Sequence, residues 1–166
     1  MPYGCPPNKK CANPCLRKSL RVDNLKSAAI TVCGLGFYNL YINGKKETED
    51  MFVTLYTDYN ALPVSNSKSL GHRLICQRYD ITDKLSPGEN VIAFMLGEGY
   101  YHCDPSSLPY ALFPVYGDVK LCFNIELVSE NGEVINITSD TDMKWSPSFI
   151  TECGAFVQGE THDYSL

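Results

Sequence analysis

Two short stretches of this chain combine a carboxylate with tyrosines. One is Thr57-Asp58-Tyr59-Asn60 and the other is Gly97-Glu98-Gly99-Tyr100-Tyr101. A carboxylate accepts hydrogen bonds from hydroxyl groups. A tyrosine ring packs against the C–H face of a sugar while its phenol keeps a polar partner. The candidate ligand-binding residues are therefore Asp58, Tyr59, Glu98, Tyr100 and Tyr101.

Each candidate also has a purely structural interpretation. Asp58 suits an Asx turn, in which the side chain bonds its own backbone. The glycines that flank Glu98 let backbone approach a ligand, or they simply permit a turn with positive φ. Tyr100, Tyr101 and Tyr110 form an aromatic platform in one interpretation and close one end of the fold in the other.

Other kinds of chemistry find no support in the residues. No Gly-x-Ser-x-Gly, His-Glu-x-x-His or phosphate-binding loop is present, so no pair of nucleophile and base can be proposed. The formal net charge is −5, with no basic patch, which argues against a nucleic-acid partner. No apolar run approaches the roughly 18 residues that cross a bilayer, so we expect no membrane span.

The cysteine count of eight is high for 166 residues. Cys33 and Cys122 lie in apolar runs, where cysteine usually acts as a small hydrophobe. Cys76, Cys103 and Cys153 could pair in an oxidising compartment, with their connectivity open.

The stretch from Gly34 to Lys46 predicts a strand that runs into a tight turn. Leu40 and Ile42 alternate with polar or aromatic neighbours, the period of two typical of a strand with one buried face. Asn43-Gly44 then suits a two-residue hairpin turn, because both central residues of that turn take positive φ.

Further strands are predicted along the chain, with no sustained helical periodicity between them. Lys120–Val128 alternates cleanly, with Leu121, Phe123, Ile125 and Leu127 inward, and leads to a second hairpin signal at Asn131-Gly132. Leu16–Val22 has the charges of an edge strand, and Phe52–Tyr56 is a short β-prone run. Short strands with turns between them indicate an all-β sandwich, which we expect to follow an irregular lead-in at residues 1–15 and to occupy 16–166.

Three ordered motifs carry a family resemblance: Gly34–Lys46, then Tyr79–Ile92 with Leu96–Tyr101, and finally Gly159–Tyr164, Gly-Glu-Thr-His-Asp-Tyr. The chain resembles the N-terminal, non-catalytic β-sandwich module of bacterial α-L-rhamnosidases. The resemblance covers about residues 16–164. It implies a jelly-roll-like antiparallel β-sandwich of the galactose-binding-like kind.

The resemblance also implies a function divided between domains. The module lies upstream of a catalytic (α/α) barrel that removes terminal L-rhamnose with inversion. Since glycoside hydrolysis needs two carboxylates across a cleft and this chain supplies no barrel, the fragment is expected to be catalytically silent. Some members of the family bind L-rhamnose through calcium, in loops at one end of the sandwich.

Two motifs indicate which residues of this chain correspond to the family's binding residues. The family's Trp-Thr-Asp-Tyr corresponds to Tyr56-Thr57-Asp58-Tyr59, so Asp58 matches. Its Gly-Asn-Gly-Trp-Tyr corresponds to Gly97–Tyr101, where Glu98 replaces an amide and Tyr100 an indole. Glutamate remains an oxygen ligand that calcium accepts, so the implied calcium ligands are Asp58 and Glu98. The carbohydrate-binding residues that the resemblance implies are Asp58, Tyr59, Glu98, Tyr100 and Tyr101.

Three alternatives stay open at this point. The module braces the catalytic barrel without binding sugar, it is the sugar-binding domain of a β-galactosidase-like enzyme, or it is a small free-standing hydrolase. Residues 1–15 have no apolar signal-peptide core, which leaves bacterial cytoplasm, periplasm and secretion open.

Overall fold

The computed structural model describes residues 13–55, 57, 59, 74–102, 116–153 and 159–165. These residues form eleven β-strands and a single 3-10 helix, Thr82–Lys84. The strands are β1 Pro14–Val22, β2 Leu25–Leu35, β3 Phe37–Ile42, β4 Lys45–Lys46, β5 Cys76–Asp80, β6 Gly88–Gly97, β7 Lys120–Ser129, β8 Val134–Thr138, β9 Lys144–Pro147, β10 Ile150–Cys153 and β11 Glu160–His162.

The strands form antiparallel sheets. A five-stranded sheet has the order β4-β3-β6-β1-β9, a four-stranded sheet has the order β5-β2-β7-β8, and β10 pairs with β11. The two larger sheets share one apolar core, to which β1, β2, β3, β6 and β7 contribute alternate buried residues. The prediction of an all-β antiparallel sandwich is confirmed. The structure does not describe residues 1–12, so the predicted division into 1–15 and 16–166 stays a prediction.

The core lies where the inner faces of the two sheets meet. Phe94 on β6 stacks on Phe123 on β7, with ring centroids 5.3 Å apart. Ile30 and Ile125, which are opposite each other on β2 and β7, are fully buried. Burying each such side chain contributes roughly 1.5–3 kcal/mol to folding before chain entropy is subtracted. The period-two pattern of β7 therefore places its apolar set against the core, as predicted.

The predicted hairpin turn between β3 and β4 is confirmed by its backbone. Asn43 has φ of 50° and Gly44 has φ of 82°, the positive values that such a turn requires. Leu40 and Ile42 are almost completely buried on β3. The side chain of Asn43 also accepts a hydrogen bond from the Val91 amide at 2.9 Å. The turn is thereby tied to β6, the central strand of its sheet.

The edge position predicted for Leu16–Val22 is wrong. Strand β1 lies between β6 and β9 and pairs with both. The charges that suggested an edge are accommodated otherwise: Arg17 and Arg21 are exposed on the outer face, and Lys18 forms an ion pair with Asp140. Basic residues on a solvated face are compatible with an interior strand, and sequence alone does not distinguish the two positions.

The β-prone run that begins at Phe52 does not form a strand over its described residues. Phe52 has φ of 57°, which breaks the extended conformation. The segment is held by a contact of another kind, because the Val53 carbonyl accepts a hydrogen bond from the Tyr38 amide at 2.9 Å. Val53 itself is buried. Tyr56 lies outside the described residues.

Candidate functional site

The two candidate stretches meet at one end of the sandwich. This is the end at which β2 gives way to β3, β6 finishes at Gly97 and β7 begins at Lys120. Tyr59 lies edge-on to Tyr101, with ring centroids 5.1 Å apart and planes at 90°. The structure therefore brings together two predicted site residues from separate parts of the chain.

A third tyrosine completes this group, which we call the tyrosine cluster: Tyr59, Tyr101 and Tyr116. Tyr116 contacts Tyr59 at a centroid distance of 5.0 Å and stacks on Tyr101 at 5.7 Å with planes 24° apart. All three side chains are half-buried. Aromatic pairs prefer such edge-on and offset-stacked arrangements over a face-to-face sandwich. The cluster is thus a packed aromatic surface that still reaches solvent.

Backbone contacts hold Tyr116 in place. Its amide donates to the Tyr101 carbonyl at 3.1 Å. The residues that follow these two also meet, because His102 Nδ1 lies 2.9 Å from the Gly117 carbonyl. A carbonyl only accepts, so this contact requires the proton on Nδ1 of His102. These two bonds join the segment that follows β6 to the segment that precedes β7.

Tyr116 and Gly117 were not among the residues predicted from the sequence. The available signal was a tyrosine followed by glycine close to the start of the clearly alternating run at Lys120. In the structure Gly117 has φ of 153°. A Cβ at this glycine would lie 3.5 Å from the Tyr101 hydroxyl, which shows how closely its backbone approaches the cluster.

Two glycines set the path of the chain around Glu98. Gly36 has φ of 116°, and a Cβ there would lie only 2.6 Å from the Gly97 carbonyl oxygen. Gly99 has φ of 58°, and a Cβ there would lie 2.8 Å from the Phe37 amide nitrogen. Both positions need positive φ and close approach of backbone to backbone, which other residues accommodate only with strain. They fix the β2–β3 corner against the end of β6.

Glu98 lies between Gly97 and Gly99 and is half-buried. Its carbonyl accepts a hydrogen bond from the His102 amide at 3.3 Å. This bond closes a turn that directs the chain through Tyr100 and Tyr101. Glu98 therefore belongs to the turn that leads into Tyr101 of the tyrosine cluster.

Tyr100 belongs to a different aromatic group from Tyr101. It packs edge-on against Phe37, with centroids 5.6 Å apart, and Phe37 packs in turn against Phe52 at 5.5 Å. Tyr100 and Tyr101, which were predicted to form one platform with Tyr110, therefore lie in two separate aromatic groups. Tyr110 lies outside the described residues.

Asp58, the other predicted carboxylate, also lies outside the described residues, between Thr57 and Tyr59. Calcium takes six to eight oxygen ligands, whereas the described part of the site supplies one carboxylate, that of Glu98. No group of three potential metal-ligating side chains occurs among the described residues. Because Asp58 is not described, the pair of Asp58 and Glu98 as calcium ligands stays a prediction.

Most of the chain matches one protein family. A model of the α-L-rhamnosidase N-terminal domain matches residues 23–166. The chain belongs to the α-L-rhamnosidase N-terminal domain family. The predicted resemblance is confirmed, and the domain is the kind found at the N-terminus of α-L-rhamnosidases.

Relatives of the domain are much longer than the chain described here. An α-L-rhamnosidase of Streptomyces avermitilis is 27% identical over 152 residues, which cover 89% of this chain and 13% of the relative. An α-L-rhamnosidase of Formosa agariphila is 31% identical over 80 residues, 48% of this chain and 7% of the relative. The chain therefore spans a small fraction of the curated relatives it matches.

Solved structures support the fold. The Streptomyces avermitilis α-L-rhamnosidase complexed with L-rhamnose superposes with a TM-score of 0.76 at 26% identity, covering 92% of this chain and 14% of that one. The Aspergillus terreus α-L-rhamnosidase gives a TM-score of 0.79 at 24% identity, covering 97% and 17%. The domain thus shares its sandwich with rhamnosidases of bacterial and fungal origin. Over the residues that the structure describes, no helix has the length and apolar character to cross a membrane.

Proposed function

We propose that this N-terminal domain binds L-rhamnose or rhamnosylated glycans at the end of the sandwich that carries the tyrosine cluster. The observation that carries the proposal is the meeting of Tyr59, Tyr101 and Tyr116, at the end of the turn that begins at Glu98. Rings at this position offer flat apolar faces to the C–H groups of a sugar. The carboxylates of Glu98 and Asp58 supply acceptors for its hydroxyls.

Similarity to the family supports the proposed identity of the sugar. The domain is similar to the N-terminal part of α-L-rhamnosidases, one of which is described as complexed with L-rhamnose. We propose that the parent chain is an α-L-rhamnosidase, a glycoside hydrolase, and that a catalytic (α/α) barrel in the same chain is the domain's partner. The 166-residue chain is proposed to have no turnover of its own, since the bond-breaking carboxylates belong to that barrel.

Calorimetric titration with L-rhamnose tests binding directly. The titration is made in calcium and again in EDTA, so that sugar binding and its dependence on calcium are separated. We expect heat with L-rhamnose, a weaker response with D-galactose, and no release of phenol from an aryl rhamnoside. Absence of heat with L-rhamnose in both buffers contradicts the proposal.

A second candidate function is structural bracing of the catalytic barrel. It is favoured by three exposed apolar side chains that precede the site segment: Met51 is 75%, Phe52 55% and Leu55 65% exposed. Side chains of this kind commonly mark an interface. Replacing Met51 and Leu55 with serine in the parent enzyme distinguishes the candidates, because bracing predicts lower thermal stability of the enzyme with unchanged rhamnose binding by the domain.

A further inference from the structure

Three cysteines lie side by side across the four-stranded sheet. In the antiparallel register, Cys33 on β2 is opposite Cys76 on β5. On its other side Cys33 is opposite Cys122 on β7. We call Cys76, Cys33 and Cys122 the thiol row. The sequence separates these residues widely, and only strand pairing makes them neighbours.

The row faces away from the core. Val32 and Phe123, the chain neighbours of Cys33 and Cys122, point inward and are buried. Since successive side chains of a strand point to opposite faces, the two cysteines point outward. Cys76 and Cys122 are exposed, and Cys33 between them is covered to 8% exposure. The prediction that Cys122 acts as a buried hydrophobe is therefore wrong, whereas Cys33 fits it.

The spacing of opposite residues suits a disulfide. Opposite Cα atoms of an antiparallel pair are about 4.5 Å or about 5.5 Å apart, depending on the type of pair. A disulfide spans Cα distances of about 4.4–6.8 Å. Strand pairing places Cys33 directly opposite both other cysteines, and all three are unlinked. Either neighbour is thus placed to bond Cys33.

The two outer cysteines are too far apart to bond each other. Adjacent strands lie about 4.8 Å apart, so β5 and β7, which flank β2, are separated by about 9–10 Å. This exceeds the Cα range of a disulfide. Cys33 is consequently the shared member, and only one linkage forms at a time.

We propose that the thiol row is a redox-responsive modification site, at which a small-molecule disulfide oxidises Cys33 and one of its neighbours to a cross-strand disulfide. The two products are Cys33–Cys76 and Cys33–Cys122. The first ties the edge strand β5 to β2, and the second ties β2 to β7 in the middle of the sheet. Nothing in the proposed sugar binding depends on this site.

The chemistry is thiol–disulfide exchange. The thiolate of Cys76 attacks the small disulfide RSSR, forming a mixed disulfide and releasing RS⁻, which takes up a proton. Cys33 then loses its proton, attacks Cys76 Sγ and expels the second RS⁻. Two thiols are oxidised and RSSR is reduced to two RSH. Attack by Cys122 on Cys33 Sγ afterwards exchanges the linkage and releases Cys76, with no net oxidation.

The environment of Cys33 supports this order of events. Burial, followed by the neighbouring Cys76 and Cys122 thiols, raises the pKa of Cys33 to about 12. The thiolate is the attacking species, so Cys33 is a poor first nucleophile at neutral pH. The exposed outer thiols therefore react first, and Cys33 closes the bond.

The test is disulfide mapping of the folded chain. The reduced protein is incubated with oxidised glutathione, its remaining thiols are blocked with iodoacetamide, and it is digested with trypsin. Cleavage after Lys26, Arg73 and Lys120 places Cys33, Cys76 and Cys122 on separate peptides that contain no other cysteine. Mass spectrometry then identifies each cross-link unambiguously. We expect the 33–76 and 33–122 links and no 76–122 link.

Substitution of one outer cysteine at a time tests each disulfide separately. Cys76→Ser should leave only the 33–122 link, and Cys122→Ser should leave only the 33–76 link. Both substitutions are at exposed positions, so folding is expected to survive, as circular dichroism checks. Cys15→Ser is the matched control, because Cys15 lies on the other sheet opposite Met95 and Ser146, and it should change neither link.

Two results would overturn the proposal. One is a folded, oxidised chain in which Cys33 carries glutathione or remains alkylatable with neither link formed. The other is a spread of links over all cysteines that matches the pattern of the urea-unfolded chain. Either outcome means that the row is a packing arrangement without redox chemistry.

Discussion

The ring of Tyr59 lies perpendicular to the ring of Tyr101, with centroids 5.1 Å apart. Tyr59 follows the segment that Val53 anchors to β3 by its bond with the Tyr38 amide, and Tyr101 follows the corner at the end of β6. Their contact shows that the two candidate stretches share one end of the sandwich. It is the contact on which the proposed sugar site depends.

Removal of one ring of the tyrosine cluster should weaken sugar binding. Tyr101 contacts both other members, so Tyr101→Ala should raise the Kd for L-rhamnose by roughly 3–10-fold, the value of one aromatic contact. Calorimetry measures the change. Tyr164→Ala is the control, because Tyr164 is 76% exposed on the C-terminal segment and should leave Kd unaltered. Equal changes in Kd for the two variants would show that the tyrosine cluster is not part of the binding site.

The corner at Gly36 should not tolerate a side chain. Gly36→Ala places a methyl 2.6 Å from the Gly97 carbonyl at φ of 116°, so we expect a loss of more than about 3 kcal/mol in unfolding free energy. Gly44→Ala is the matched control. Gly44 also has a positive φ, of 82°, but a Cβ there would meet no atom within 4 Å. That variant should lose only about 1–2 kcal/mol. Urea unfolding of both compares them.

Asn90 should be the most sensitive polar residue of the β3–β6 junction. It is 1% exposed, and its Oδ1 accepts from the Ser86 amide and from Asn43 Nδ2, both at 2.9 Å. Its Nδ2 donates to the carbonyls of Ser86 and Gly88. Asn90→Ala removes all four of these hydrogen bonds from a buried position, so unfolding free energy should fall by about 2–4 kcal/mol.

The control for that variant is another strand asparagine with fewer bonds. Asn124→Ala removes a half-buried side chain that donates to Asn136 Oδ1 at 3.0 Å. It should lower the unfolding free energy by about 1 kcal/mol. Similar losses in the two variants would show that the bonds of Asn90 contribute no special stability.

Stability should decline in alkali because of two buried groups. The pKa of Cys33 is raised from 9.0 to about 12 by burial and by its thiol neighbours. Burial also raises the pKa of Tyr38, with its bond to the Tyr79 hydroxyl adding to the effect. A group whose pKa is higher in the folded state contributes its stability fully below the unfolded pKa and loses it as pH rises. Unfolding free energy, measured in reductant, should therefore fall between about pH 9 and pH 12.

Substitutions separate the two contributions. Cys33→Ser should flatten the decline that begins near pH 9, whereas Tyr38→Phe should flatten only the part above about pH 10. Tyr38→Phe also removes bonds of 3.2 Å to Gln77 and Tyr79, so at pH 7 it should be less stable by about 1 kcal/mol. An unchanged alkaline slope in Cys33→Ser would mean that this thiol titrates normally in the folded chain.

The sequence determined the fold class and the local turns of this protein. Period-two alternation requires one face of each strand to be buried, and it identified Leu40, Ile42, Phe123 and Ile125 as inward residues, all of which are buried. Asn43-Gly44 specified its turn because few residues accept positive φ. The ordered motifs identified the family, because tight turns and corners restrict which residues can occupy them.

Tertiary structure decided which strands are neighbours and hence which side chains meet. The interior position of β1, the addition of Tyr116 to Tyr59 and Tyr101, and the alignment of Cys33 with Cys76 and Cys122 all depend on pairing between residues far apart in the chain. A local pattern defines which face of a strand is buried, and it contains no information about the neighbour on either side. That choice is made only when the two sheets close over a common core.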